Sequence, residues 1–213
     1  MEHTVTILHI SDLHARGPRE SESWRRRRVT GKESWCRNLE ELQKDGPIDL
    51  VCFTGDLALS GRSDEYPRAG EFLAQTLQQL GLPPVRLAVV PGNHDIDRSV
   101  KQGAWQTIRS NIHRFDDLEI SRWLAGREAP FGFTDDLRDK LLERQSAFRG
   151  WLAAAGFHHL LPSRSPHGRL GFRHTLRLPG LPFDVRLIGL DSAWLCGDDS
   201  DDGRLRLTTD QVM

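Results

Sequence analysis

The spacing of apolar and polar residues changes several times along the chain, and each change marks an element. Residues 4–10 are rich in β-branched and apolar side chains and run into Ser11-Asp12, which predicts a strand ending in a loop. Residues 17–33 are polar and arginine-rich, punctuated by Gly17-Pro18 and Gly31, and read as loop. Trp35, Leu39 and Leu42 then recur at helical spacing, with Ser34 at the N-cap position and Gly46-Pro47 as the stop. Residues 49–54 form a short, nearly all-apolar run, the pattern of a strand covered on both faces. Phe72, Leu73, Leu77 and Leu80 line a second helix closed by Gly81. Residues 85–90 predict a third strand, ending in Pro91-Gly92.

The order β-α-β-α-β predicts an α/β fold with a parallel sheet covered by helices. Residues 97–156 break that rhythm with a long helical stretch. Trp105, Ile108 and Ile112 share one face there, and Leu137, Leu141, Phe148, Trp151 and Leu152 mark a further helix closed by Gly156. Residues 171–178 and 183–190, separated by Pro179-Gly180, predict an antiparallel, hairpin-like pair. No internal repeat, low-complexity tract or linker divides the chain, so a single domain is expected.

Composition narrows the function classes. At 213 residues, 38% apolar and 28% charged, the chain suits a soluble globular domain with a sizeable core. Its net charge of -1 provides no global field for nucleic acid or membrane. No apolar run approaches the roughly 20 residues of a membrane helix. The N-terminus enters a strand pattern without the basic start and apolar core of an export signal. Cys36, Cys52 and Cys196 are odd in number and far apart, which argues against a disulfide framework and for a reducing cytoplasm. They read as small buried hydrophobes.

Three predicted strand ends carry polar clusters: Asp12-Leu13-His14, Gly55-Asp56 and Gly92-Asn93-His94-Asp95. Singly, each is an ordinary turn sequence. Together they are expected to meet in space, because ligands bind at the carboxyl ends of the strands in an open parallel sheet. They would then supply carboxylates, imidazoles and an amide oxygen, a mixed N/O donor set that suits Mn, Fe or Zn.

These three clusters resemble the first three motifs of the calcineurin-like metallophosphoesterases. The resemblance covers nearly the whole chain, and Leu190-Asp191-Ser192 and Gly203-Arg204-Leu205 to Gln211 are similar to the family's stretch leading to its next helix. It implies a layered α/β/β/α sheet with flanking helices over residues 1–213, with a helical insertion or cap at about 97–170. It also implies two divalent metal ions, Mn first and Fe, Zn or Ni as alternatives. By motif, Asp12 and His14 would hold the first metal, Asp56 would bridge both, and Asn93 would bind the second. His94 would face the phosphate and stabilise or protonate the leaving oxygen, with Asp95 orienting its ring. The implied activity is hydrolysis of phosphodiester bonds (a nuclease or nucleotide phosphodiesterase) or phosphomonoester bonds by a metal-bridging hydroxide. Two metals about 3.5–4 Å apart can clamp a phosphoryl group and lower the pKa of such a water. The alternative is a non-catalytic binding or scaffold module that retains the fold and part of the metal site.

The family pattern continues with a further His after another strand and then Gly-His-x-His, and neither is present. His158-His159, His167 and His174 precede Leu190-Asp191, the wrong order to replace them, and read as surface or loop histidines. The domain is therefore expected to be C-terminally incomplete, with further domains of the same protein after residue 213. The residues around the motifs (55–61, Glu65-Tyr66, Phe72-Leu73 and 91–98) are similar to bacterial phosphoesterase domains that open large multidomain signalling or defence proteins. The expected partner is a phosphoester substrate, nucleic acid or nucleotide among them, and not a membrane.

Other features add less. Arg25 to Arg28, beside Trp24, reads as a solvated basic loop or as a grip on phosphates. Residues 198–203 mimic the first half of a calcium loop, but Thr209 stands where a bidentate Glu is needed, so they read as an acidic surface turn. Trp105 and Trp151 read as packing residues. Residues 97–170 are placed to cap the site and set substrate choice.

Overall fold

Alternation along one strand organises the molecule. In the strand Leu50–Thr54 (β2), Val51 and Phe53 point into one core and Leu50 into another, and all three are buried. A strand covered on both faces needs partners on both faces. β2 lies between Ile7–Ile10 (β1) and Leu87–Val90 (β3), parallel to each, with Ile7 opposite Leu50 and Val51 opposite Leu87. The computed structural model describes residues 3–19, 35–162, 170–201 and 205–212.

One face of this sheet carries three helices: residues 35–44 (α1), Tyr66–Leu80 (α2) and Ser146–Ala154 (α6). Leu39, Leu73, Leu77, Phe148 and Leu152 bury there against Val51, Phe53 and Val89. In α2 the buried set Tyr66, Ala69, Leu73, Leu77 and Leu80 recurs at three- and four-residue spacing, so one stripe faces the sheet. The opposite face of β2 packs through Leu50 on Leu176 and Leu178. These belong to an antiparallel hairpin, Phe172–Arg177 (β4) with Asp184–Gly189 (β5), and to the residue that follows β4. The fold is mixed α/β around a parallel sheet.

A second core forms beside the sheet. Gln102–Asn111 (α3), Asp117–Leu124 (α4) and Asp135–Glu143 (α5) enclose Trp105, Ile108, Trp123 and Leu141 together with Trp194 and Leu195. Asp116 and Glu119 cap α4 reciprocally, and the Thr134 hydroxyl caps α5. A short helix, Thr209–Val212 (α7), docks on α4. Among the described residues, no helix is long and apolar enough to cross a membrane.

Several elements differ from the sequence pattern. The third strand starts at Leu87 because Pro84–Arg86 form a 3-10 turn. The expected loop at 17–33 opens with the 3-10 turn Gly17–Arg19, and the rest of it, Arg25 to Arg28 included, lies outside the described residues. The single helix expected through Leu137, Leu141 and Phe148 is two helices. The chain breaks between them because the Arg144 carbonyl accepts the amide of Asp97 (2.9 Å) and the Gln145 side chain turns inward to Asp191 (2.8 Å). Both residues are buried, and these tertiary bonds outweigh local helical continuity.

Candidate metal centre

Beyond the strand ends, the loops after β1 and β2 stay zipped together. The amides of Asp12, His14 and Ala15 donate to the carbonyls of Gly55 (3.1 Å), Asp56 (2.9 Å) and Leu57 (2.8 Å). This pairing holds the first two polar clusters side by side. It also forces Asp12, His14 and Asp56 to φ values of 62°, 48° and 62°, the left-handed region that side chains resist. Lys101 is the one other non-glycine residue at positive φ among the described residues, so the strain gathers at one spot, as it does at functional sites.

The third cluster closes against the second. The amide of His94 donates to Asp56 Oδ1 (2.9 Å). Gly92 is required for this approach: a Cβ there would lie 2.2 Å from Asp56 Oδ1. Its φ of -101° is ordinary, so the demand is for space rather than for backbone freedom.

Asp95 does not orient His94, which corrects the role expected from the motif. Its carboxylate is fully buried and accepts four backbone amides: Asp56 (2.9 Å), Leu57 (3.2 Å) and Gly92 (2.9 Å) at Oδ2, and Ala58 (2.9 Å) at Oδ1. The Tyr66 hydroxyl donates to Oδ1 as well (3.2 Å). Burial pushes its pKa up to about 6, against the pull of the amides of Gly92, Ala58 and Leu57. One carboxylate thus pins the loop after β2 to the loop after β3. Short range explains the correction: Asp95 sits in the 3-10 turn Asn93–Asp95, which aims its side chain back at the turn rather than at the neighbouring ring.

His94 is oriented by the backbone instead. Its Nδ1 lies 2.7 Å from the carbonyl oxygen of Leu59. A carbonyl can only accept, so Nδ1 carries the proton and Nε2 is the free atom. Glu65, fully buried, holds that loop by accepting the amides of Ser60 (3.0 Å) and Arg62 (3.0 Å). The His14 and His94 rings meet edge to face, 4.6 Å between centroids and 84° between planes.

His14, Asp56 and His94 each bring one ligand atom within 4.8 Å of the others, the one such group of three among the described residues. His14 Nδ1 is buried there without a hydrogen-bond partner. A buried ring nitrogen left unpaired, next to a carboxylate and a second imidazole, fits a divalent cation of the borderline class. Asp12 stands beside the group rather than inside it: Oδ1 lies 3.6 Å from His14 Nε2, Oδ2 accepts the Ser11 hydroxyl, and the side chain is largely exposed. Asn93 faces a cleft of about 610 Å³ that it shares with Asp56, Arg98 and residues 190–201.

The remaining sequence candidates fall elsewhere. His174 is a β4 residue with a buried Nε2, not a loop histidine, and its ring lies 4.8 Å from that of His159. His167 is outside the described residues. In the acidic turn, Asp198 and Asp199 are exposed. Asp201 is tucked in against Arg109 (3.1 Å). Trp105 and Trp151 both pack: the first donates to the Leu195 carbonyl (2.8 Å), the second stacks on Tyr66. All three cysteines are free thiols, and burial pushes Cys196 up to about 12. Leu59, Glu65, Tyr66 and Arg98 are the contributors to which motif reading gave no role; all four stood out beforehand only as similar flanking text.

Comparison with known proteins agrees with this geometry. The sequence profile described as calcineurin-like phosphoesterase matches residues 5–191. An uncharacterised metallophosphoesterase-like protein of Bacillus subtilis (strain 168), YydB, is 30% identical over 97 residues. That match covers 45% of this chain and 18% of the Bacillus protein, so the chain spans well under two thirds of its relative's length.

Proposed function

The chain belongs to the calcineurin-like phosphoesterase family, and from that premise we propose that it hydrolyses phosphoester bonds with divalent metal ions held at the carboxyl ends of β1, β2 and β3. The observation that supports this best is the convergence of His14, Asp56 and His94 on backbone held in the left-handed region at two of the three positions.

Asp12, His14 and Asp56 would hold one ion, and Asp56 with Asn93 would hold the other. Bound divalent ions supply positive charge to the phosphoryl oxygens and lower the pKa of water. The protein's own residues do the rest. Asp56 Oδ1 takes one amide hydrogen from His94, leaving Oδ2 and the remaining lone pairs for cations. His94, with Nδ1 committed to Leu59, presents Nε2 alone; protonated, that atom donates to the leaving oxygen. Asn93, which lines the cleft, would also meet substrate there. We assign phosphodiesters as the preferred substrate, by nuclease or nucleotide phosphodiesterase action, with Mn²⁺ as the metal and the cytoplasm as the compartment.

A second reading has its own support. The described ligand atoms form one group of three, which suits a single ion in a non-catalytic binding module. Protein stripped with chelator and given Mn²⁺, Fe²⁺, Zn²⁺ or Ni²⁺ in turn separates the two. Metal-restored release of nitrophenol from bis(nitrophenyl) phosphate supports the hydrolase, and a faster rate than on the monoester supports the diester preference. Stoichiometric metal uptake with no hydrolysis of either ester supports the binding module.

A further inference from the structure

We propose that Arg98 anchors the substrate phosphate in the cleft beside the metal centre, exchanging Asp199 for the substrate, and that the cleft takes a mononucleotide-sized phosphodiester rather than a nucleic-acid strand. This rests on the hydrolase reading above and names its substrate class.

The cleft has the size of a small-molecule site, about 610 Å³. One wall carries Asp56 and Asn93. The lining also includes the apolar side chains of Val90, Leu190 and Leu205, which suit a nucleobase or another aromatic group. Arg98 is the one cation lining the cleft among the described residues. Its planar fork matches the oxygens of a phosphate.

Arg98 is well anchored and its present counter-ion is not. On one side of it, the Asp97 amide donates to the carbonyl of buried Arg144 (2.9 Å). On the other, Asp97 Oδ1 accepts the Ser99 amide (2.9 Å). Arg98 Nη1 meets Asp199 Oδ1 at 2.9 Å, but the Asp199 side chain is 99% exposed and Arg98 34%. Pairs of such exposed charges are weak and easily exchanged. Asp201, by contrast, is committed to Arg109 and to the amides of Gly197 and Asp198. Asp198 and Asp199 therefore leave two exposed carboxylates on the lip of the cleft. They would repel the flanking phosphates of a strand while tolerating one phosphodiester inside.

The test uses the full chain loaded with Mn²⁺. Substrates are bis(nitrophenyl) phosphate, a nitrophenyl ester of a nucleoside 5′-monophosphate and a single-stranded oligonucleotide. Binding of inorganic phosphate is measured separately by calorimetry. Arg98→Ala should raise KM for the nucleotide ester and weaken phosphate binding by at least about tenfold, the scale of one lost charge-assisted hydrogen bond. Asp199→Asn should strengthen phosphate binding and raise kcat/KM on the oligonucleotide. Unchanged phosphate affinity in Arg98→Ala overturns the anchor. A wild-type kcat/KM higher on the oligonucleotide than on the nucleotide ester overturns the size preference. If the wild type hydrolyses none of the three, the hydrolase reading fails, and the phosphate isotherms still decide for or against Arg98.

Discussion

The His94 imidazole is held by the chain's own backbone: its Nδ1 lies 2.7 Å from the carbonyl oxygen of Leu59. That bond leaves Nε2 as the only ring atom free for chemistry. Replacement by alanine should lower kcat by roughly 10²–10⁴-fold, the range for losing a positioned acid. The loss should shrink on esters with good leaving groups, which need no proton. Steady-state rates on a series of aryl phosphodiesters check this, and an equal loss across the series would argue against an acid role.

Asp95→Asn keeps the shape but puts an NH₂ group among donors. With four amides and the Tyr66 hydroxyl converging there, the substitution should cost on the order of 3 kcal/mol of stability. It should also carry a pH signature. The folded value of about 6 lies above the ordinary 3.8, so between about pH 4 and 6 the folded protein keeps a proton that the unfolded chain has lost. The stability from protonated Asp95 is full below about pH 4 and is lost as pH rises through about 6. The gap between wild type and variant, from urea unfolding in chelator, should therefore narrow from pH 4 to pH 6 and stay flat above.

The Tyr66 hydroxyl is the side-chain support of that carboxylate, 3.2 Å from Oδ1. Tyr66→Phe removes one donor and leaves the ring stacked on Trp151 (5.6 Å). A loss of about 1 kcal/mol is expected, the net contribution of one buried hydrogen bond. Thermal unfolding reads it directly.

Gly92→Ala should act through contact alone. Its Cβ would sit 2.2 Å from Asp56 Oδ1 and 2.6 Å from the Asp56 nitrogen. Moving these atoms should cost about 1–3 kcal/mol, typical of overpacking, and reduce metal uptake measured by elemental analysis. Gly103→Ala in α3 is the control: a Cβ there meets nothing within 4 Å, so stability should hold or rise by about 0.5–1 kcal/mol.

The parallel sheet and the meeting of its loops were legible because β1, β2 and β3 are apolar runs that each end in a polar cluster. The same signal could not reveal what Asp95 does, since adjacency to His94 in sequence says nothing about which way a 3-10 turn aims a side chain. The break at Arg144 and Gln145 was hidden for a related reason. Both are good helix formers, and the bonds that stop the helix come from Asp97 and Asp191, far away in sequence. Glu65 and Leu59 matter through one buried carboxylate and one carbonyl, neither of which carries a pattern. The cleft around Arg98 depends on residues 190–201 folding back beside β3, a contact that hydrophobic spacing does not encode.

In the proposed reaction, hydrolysis depends on a metal held by Asp56. Bis(nitrophenyl) phosphate turnover by the wild type and by Asp56→Ala, each with and without added Mn²⁺, tests it most directly. Mn²⁺-dependent hydrolysis by the wild type and its loss in the variant are expected. Hydrolysis that ignores added Mn²⁺, or that survives Asp56→Ala undiminished, would contradict it.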